Sequence, residues 1–157
     1  MDLVFGFIIF TVGILAFFVY SINQSGEVRE NFESLGVDGS FILNNILSDG
    51  YPQDWNSSNV VVIGILSNNK INETKLERFY NLTQSNYPIT RSLFRTKYDY
   101  YFYFDNDNIT ISSGIIDGIG KPGVNRTNIS SNNLIKISRY SIYKNKPVVI
   151  NLDIWEG

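Results

Sequence analysis

The chain contains neither histidine nor cysteine. That removes imidazole acid–base chemistry, thiolate nucleophiles, disulfides and thiolate metal sites together. The acids left for catalysis include Asp99 and Asp117, neither with a partner base nearby in sequence, and both read as solvated carboxylates at a strand edge or turn. Asp105, Asp107 and Asn108 are oxygen ligands of the type calcium takes, but the stretch lacks the glycine and distal glutamate of an EF-hand loop and reads as a β-turn. Arg91, Arg95 and Lys97 form a local basic cluster, read as a solvated helix face. The sequence therefore assigns no catalytic residue, no metal and no cofactor, and an enzyme is the least favoured reading.

One repeated pattern does carry a chemistry. Asn23, Asn56, Asn72, Asn81, Asn108, Asn125 and Asn128 each begin an Asn-x-Ser/Thr acceptor motif. Chance placement in this composition would give about three. The functional expectation is a glycosylated extracellular surface. The alternative is that an Asn-rich, Tyr- and Phe-rich chain, with 10 Tyr and 11 Phe, places its asparagines in turns.

The elements that would position these groups begin with an apolar run at residues 3–22, LVFGFIIFTVGILAFFVYSI. As a helix rising about 1.5 Å per residue it covers about 30 Å, the hydrocarbon thickness of a bilayer. Its apolar residues go all the way round, as expected beside lipid or other protein. Leu3, Val4, Phe5, Phe7, Ile8, Ile9, Phe10, Val12, Ile14, Leu15, Phe17, Phe18 and Val19 are the candidates for a membrane span or filament core. Gly6 and Gly13, seven apart, lie near one face and permit close packing of a second backbone. Asp2 is the only charge before the run, so no basic n-region precedes it; a retained segment is expected rather than a cleaved signal.

The remaining residues suffice for one compact domain. A net charge of −2, from 13 basic and 15 acidic residues, shows no basic stripe, and nucleic acid is not an expected partner. Residues 23–35 continue as an amphipathic helix, with a break expected near Gly36 and Gly39 and a second helical piece over residues 41–47. Residues 60–66 read as a buried strand, and Asn72 as the N-cap of a helix stapled by Ile71 and Leu76. Pro88 opens a short helix carrying Ile89 and Leu93 on one face. Residues 98–104, YDYYFYF, form a strand with rings on both faces; residues 105–108 turn and 109–112 return. Residues 134–143 and 148–155 make a last hairpin across 144–147, so the C-terminal half is an antiparallel sheet.

A helix that begins as a membrane segment and continues onto a small antiparallel sheet resembles the type IV pilin architecture. The middle of the chain adds detail: Leu47-Ser48-Asp49-Gly50-Tyr51-Pro52-Gln53-Asp54-Trp55 is similar to a segment of archaeal pilin-like proteins with class III leaders. Val62-Ile63-Gly64-Ile65-Leu66, Ile71-Asn72-Glu73-Thr74-Lys75-Leu76, Lys97-Tyr98-Asp99-Tyr100 and Gly120-Lys121-Pro122-Gly123-Val124 follow in the order of that group. The resemblance implies an α+β, type IV pilin-like fold: a long N-terminal helix over residues 1–48, hydrophobic to 25 and amphipathic beyond, then an extracellular globular domain over 49–157. It implies a prepilin held in the cytoplasmic membrane, cut by a prepilin peptidase before the apolar helix, and moved by pilus assembly machinery into a homopolymer of identical subunits serving adhesion or cell contact. The chain would then be the mature form, or nearly so. Bacterial type IV pilins carry glutamate at the fifth mature position, where this chain has Phe5, a departure that favours the archaeal branch. Asp2 stands in for that glutamate or, more simply, caps the helix. The competing reading is a minor pseudopilin or single-pass ectodomain protein that stays in the membrane.

Overall fold

The computed structural model describes every residue except Met1, Asn106 and Asn132, and for Asp2 and residues 23–31 it describes the backbone alone. The order is α1 (Asp2–Ile46), β1 (Leu66–Ser67), β2 (Lys70–Ile71), α2 (Glu73–Ser85), α3 (Tyr87–Leu93), β3 (Asp99–Phe104), β4 (Ile109–Ile111), β5 (Gly114–Ile116), β6 (Gly118–Gly120), β7 (Leu134–Tyr143) and β8 (Lys146–Trp155). The fold is α+β: an N-terminal apolar helix plus antiparallel sheet. It divides into two compact units, Met1–Ser34 and Leu35–Gly157.

The first unit is helix throughout its described residues. Within it Leu3–Ile22 is long and apolar enough to cross a membrane, and none of it is buried. The Thr11 hydroxyl donates to the Phe7 carbonyl at 2.9 Å, so this polar group is satisfied inside its own helix, as a lipid environment requires.

In the second unit the main sheet has the order β6-β3-β8-β7, antiparallel throughout. β3 lies inside it, with Tyr101 opposite Gly120 on one side and Asp153 on the other. Alternation sends Tyr100, Phe102 and Phe104 into the main core, where Phe79 stacks on Tyr100 and meets Phe102 edge-on. Tyr101 and Tyr103 join Trp155 on the opposite face, covered by Val124, Ile129 and Leu134 from the chain's own loop and strand. Glycine admits the β6 backbone here, since a Cβ at Gly118 would lie 2.6 Å from the Tyr101 ring.

The end of α1 buries Leu35, Ile42, Leu43 and Ile46. The helix runs unbroken through Gly36 and Gly39, contrary to the break expected there. A Cβ at Gly39 would lie 2.7 Å from Ile137 Cδ1 and 3.0 Å from Ile154 Cγ2, so this glycine lets the helix approach β7 and β8 closely. Packing outweighs its propensity cost of about 1 kcal/mol.

Residues 60–66 do not form the expected strand. They make one bridge, Val62 to Tyr51, and β1 starts only at Leu66. The Val61 and Val62 amides donate to the Tyr51 carbonyl, the Ile65 amide to the Ile46 carbonyl at the end of α1 at 2.8 Å, and the Leu66 amide to the Ser48 carbonyl just beyond it at 2.9 Å. The Ile65 bond satisfies a carbonyl that the helix C-terminus leaves without a partner. The approach is so close that a Cβ at Gly64 would meet the Gly50 amide nitrogen and lie 2.5 Å from the Ser48 oxygen.

Asn72 caps α2, accepting from the Lys75 amide at 3.1 Å, and Ile71 and Leu76 are both buried beside it. α3 has Pro88 in its first turn, but its buried face is Tyr87 and Thr90; Leu93 is half-buried and Ile89 exposed. β4 does not return onto β3. It pairs with β5, because β6 and β8 already occupy both edges of β3. The turn expected at 105–108 includes Asn106, which lies outside the described residues. The last hairpin is tighter than expected: Lys144 and Asn145, with φ of 50° and 61°, are its two turn residues, and Pro147 lies within β8 opposite Ile142.

Candidate functional site

The apolar helix surface dominates. From Leu3 to Ile22 the large hydrophobic side chains are between 41% exposed, at Ile14, and 87% exposed, at Leu3. All thirteen candidate core residues lie in this exposed set. A Cβ at Gly6 or Gly13 would meet nothing within 4 Å, so neither glycine answers a packing need within the single chain. Burying each large apolar side chain contributes on the order of 2 kcal/mol. By length and composition such a helix can cross a membrane, and a signal sequence near an N-terminus meets the same description. The side chains of Asp2 and Asn23 lie outside the described residues.

The expectation that Asp99 is a solvated carboxylate is corrected. Asp99 is buried at the start of β3 and holds three donors: the Tyr87 hydroxyl at 3.0 Å, the Arg91 guanidinium at 3.2 Å and the Lys121 ammonium at 2.5 Å. The Tyr87 oxygen also accepts from the Tyr100 amide at 3.0 Å. Burial pushes the Tyr87 hydroxyl far above its ordinary value, so it remains a donor. The arrangement ties α3, β3 and the turn after β6 together. That turn places Pro122 and Gly123 centrally, with the Val124 amide donating to the Lys121 carbonyl at 3.2 Å and Gly123 at φ 78°. No sequence spacing reveals this clamp, since its cations come from 8 residues before Asp99 and 22 after it.

The basic cluster separates accordingly. Arg91 turns to Asp99, Lys97 lies 5.0 Å from the Tyr98 ring centre, and Arg95 is exposed with a left-handed φ of 54°. Asp117 is also paired, accepting from Arg126 Nε at 2.8 Å and from the Tyr101 hydroxyl at 3.2 Å. Asp105, Asp107 and Asn108 line an open cleft of about 280 Å³, with Arg126 as its fourth wall. A guanidinium in that wall opposes a divalent cation there. Among the described residues no three Asp or Glu side chains come together as a metal site.

Asp153 and Lys75 are buried charges that the sequence reading missed. Asp153, on β8, accepts from the Tyr103 hydroxyl at 3.3 Å and lies 3.9 Å from Lys136 Nζ, while its Oδ1 has no hydrogen-bond partner among the described residues. Burial raises its pKa above the ordinary carboxylate value. Lys75 donates to the carbonyls of Asp49 and Leu66, both at 2.8 Å, and its pKa is lowered by burial. With Trp55 Nε1 donating to the Gly64 carbonyl at 2.8 Å, Lys75 holds the 47–55 segment in place. That gives the segment a structural job.

Of the seven acceptor motifs, Asn56, Asn81, Asn108, Asn125 and Asn128 are exposed. Asn72 is half-buried and occupied as a helix cap. Asn125 and Asn128 bond each other across a turn, the Asn125 amide donating to Asn128 Oδ1 at 2.7 Å and the Asn128 amide to Asn125 Oδ1 at 3.1 Å.

No protein-family model, curated protein or solved structure matches the chain.

Proposed function

We propose that the chain is a structural subunit of an extracellular helical filament of the archaeal type IV pilus kind, serving adhesion or cell contact. The observation that supports this most is the apolar helix Leu3–Ile22, exposed on every side and carried by the same α1 whose last turns lie in a well-packed sheet unit. A one-sided stripe would suit a surface anchor or a single partner, whereas all-round exposure suits first a bilayer and then a bundle of like helices. In that order the membrane holds the subunit, a prepilin peptidase and pilus assembly machinery act on it, and identical copies replace the lipid. The sheet unit faces outward at the cell surface, presenting tyrosine, asparagine and serine, and glycans on the exposed acceptor asparagines. Its ion pairs at Asp99 and Asp117 join elements of the fold to one another.

The test is isolation of surface fibres from cells producing the full chain. Fibres with this chain as their main component are expected. A detergent-released monomer, with the chain in no fibre, would assign it instead to a membrane-held pseudopilin or ectodomain protein.

A further inference from the structure

The small net charge hides an uneven distribution. Residues 2–54 carry seven Asp or Glu against one Arg, a net −6, whereas residues 118–152 carry six Lys or Arg and no acid, a net +6. Two of the six cations, Lys121 and Arg126, are bound to Asp99 and Asp117. The other four, Lys136, Arg139, Lys144 and Lys146, are all exposed on the β7–β8 hairpin, and β7 is the edge strand of the main sheet. Lys136 lies 3.9 Å from Asp153 and Lys144 lies 3.7 Å from Glu73, contacts that leave about half of each side chain in water. Arg139 donates to the adjacent Ser138 carbonyl at 3.1 Å.

The acidic counterpart is equally compact in sequence. Glu27, Glu30 and Glu33 occupy successive i, i+3 positions of α1, directly after the apolar segment. They span about 9 Å of helix rise; Lys136 and Arg139, about 10 Å apart along the strand, project from opposite faces of the β7 edge.

We propose that the basic edge formed by β7 and its turn docks the Glu27–Glu33 stretch of α1 in a second copy of this chain; this rests on the reading that copies assemble. Lysines on an edge strand also guard against strand-on-strand aggregation, a job that charge of either sign performs. The matching acidic helix is what selects a neighbour's α1 as the partner. An acidic stretch and a basic edge on one chain let each subunit offer one patch to the copy before it and the other to the copy after it, as head-to-tail addition requires. They also steer encounter and set register more than they add affinity.

The experiment uses the full chain, as fibres or in membranes, prepared from equal amounts of light- and heavy-isotope protein and treated with a zero-length carboxylate–amine coupling reagent. Mixed-isotope cross-links between Lys136, Lys144 or Lys146 and Glu27, Glu30 or Glu33 are expected. Arg139→Glu with Lys146→Glu, chosen because Lys136 and Lys144 also face Asp153 and Glu73, should reduce the mixed-isotope links from Lys136 and Lys144 about tenfold, as when several modest ion pairs turn repulsive. Adding Glu30→Lys with Glu33→Lys should bring mixed-isotope links back, now joining positions 139 and 146 of one copy to positions 30 and 33 of another. Links found only within one copy, or unchanged by the reversal, would overturn the docking even if fibres form. Mixed-isotope links without fibres would support the docking while the filament reading fails. Reversal-sensitive retention on phosphatidylglycerol vesicles, without links between copies, would assign the basic edge to a lipid surface and overturn the proposal.

Discussion

Two segments of this chain are built almost wholly from large apolar side chains, and they meet opposite surroundings. In β3 every residue is at most 4% exposed, because alternate rings enter two different clusters and the chain supplies a cover for each. In Leu3–Ile22 every large apolar side chain is at least 41% exposed. The strand is explained by its own fold. The helix has no such account within its own fold, and under the proposed function a second medium, lipid or like helices, supplies it.

The contrast can be broken by paired truncations. Phe102→Ala should cost the sheet unit about 3–5 kcal/mol in a denaturant titration, the range for a deeply buried ring. Phe10→Ala should leave that titration unchanged and instead lower fibre yield. If Phe10→Ala destabilised the sheet unit as much as Phe102→Ala, the two regions would not be independent.

Glycines sharpen the same comparison with a smaller effect. Gly64→Ala forces a methyl group against the Gly50 and Ser48 backbone and should cost about 2 kcal/mol. Gly13→Ala meets nothing within the chain and should leave the sheet unit's stability unchanged, while lowering assembly if a neighbouring helix packs there. Lys75→Met removes the donor from two inward carbonyls and should cost about 1–3 kcal/mol by thermal or chemical unfolding.

The smallest effect belongs to Asp153. Its folded pKa is raised by burial, so between the ordinary carboxylate value of about 3.9 and the raised one the folded state binds more protons than the unfolded state. Its contribution therefore increases stability as pH falls through that window and weakens it as pH rises. Asp153→Asn should flatten this part of the stability–pH curve and slightly stabilise the protein at neutral pH. A steeper curve in the variant would contradict the assignment.

How much of this was legible in the sequence depended on how local the cause was. Asn72 capping α2, Pro88 in the first turn of α3 and the β7–β8 hairpin follow from residues within a few positions of one another. The strand expected at 60–66 failed because its amides turn to Tyr51, Ile46 and Ser48 rather than to one neighbouring strand, and Ile63 and Ile65 are buried in a packed loop rather than a ladder. The break expected at Gly36 and Gly39 failed for a related reason: helix propensity is a local term, and the nearness of Ile137 and Ile154 to Gly39 is not. The Asp99 clamp was invisible because its partners are brought together only by the fold. Exposure of the apolar helix, by contrast, was readable in advance, since a run that is hydrophobic all round leaves no polar side to face water.

The most direct test of the central claim is an image reconstruction of fibres assembled from the full chain. The account predicts the Leu3–Ile22 helices of many subunits packed together along the fibre axis, with the sheet units outside. Fibres held together through the sheet units, with the apolar helices left in lipid or detergent, would contradict it.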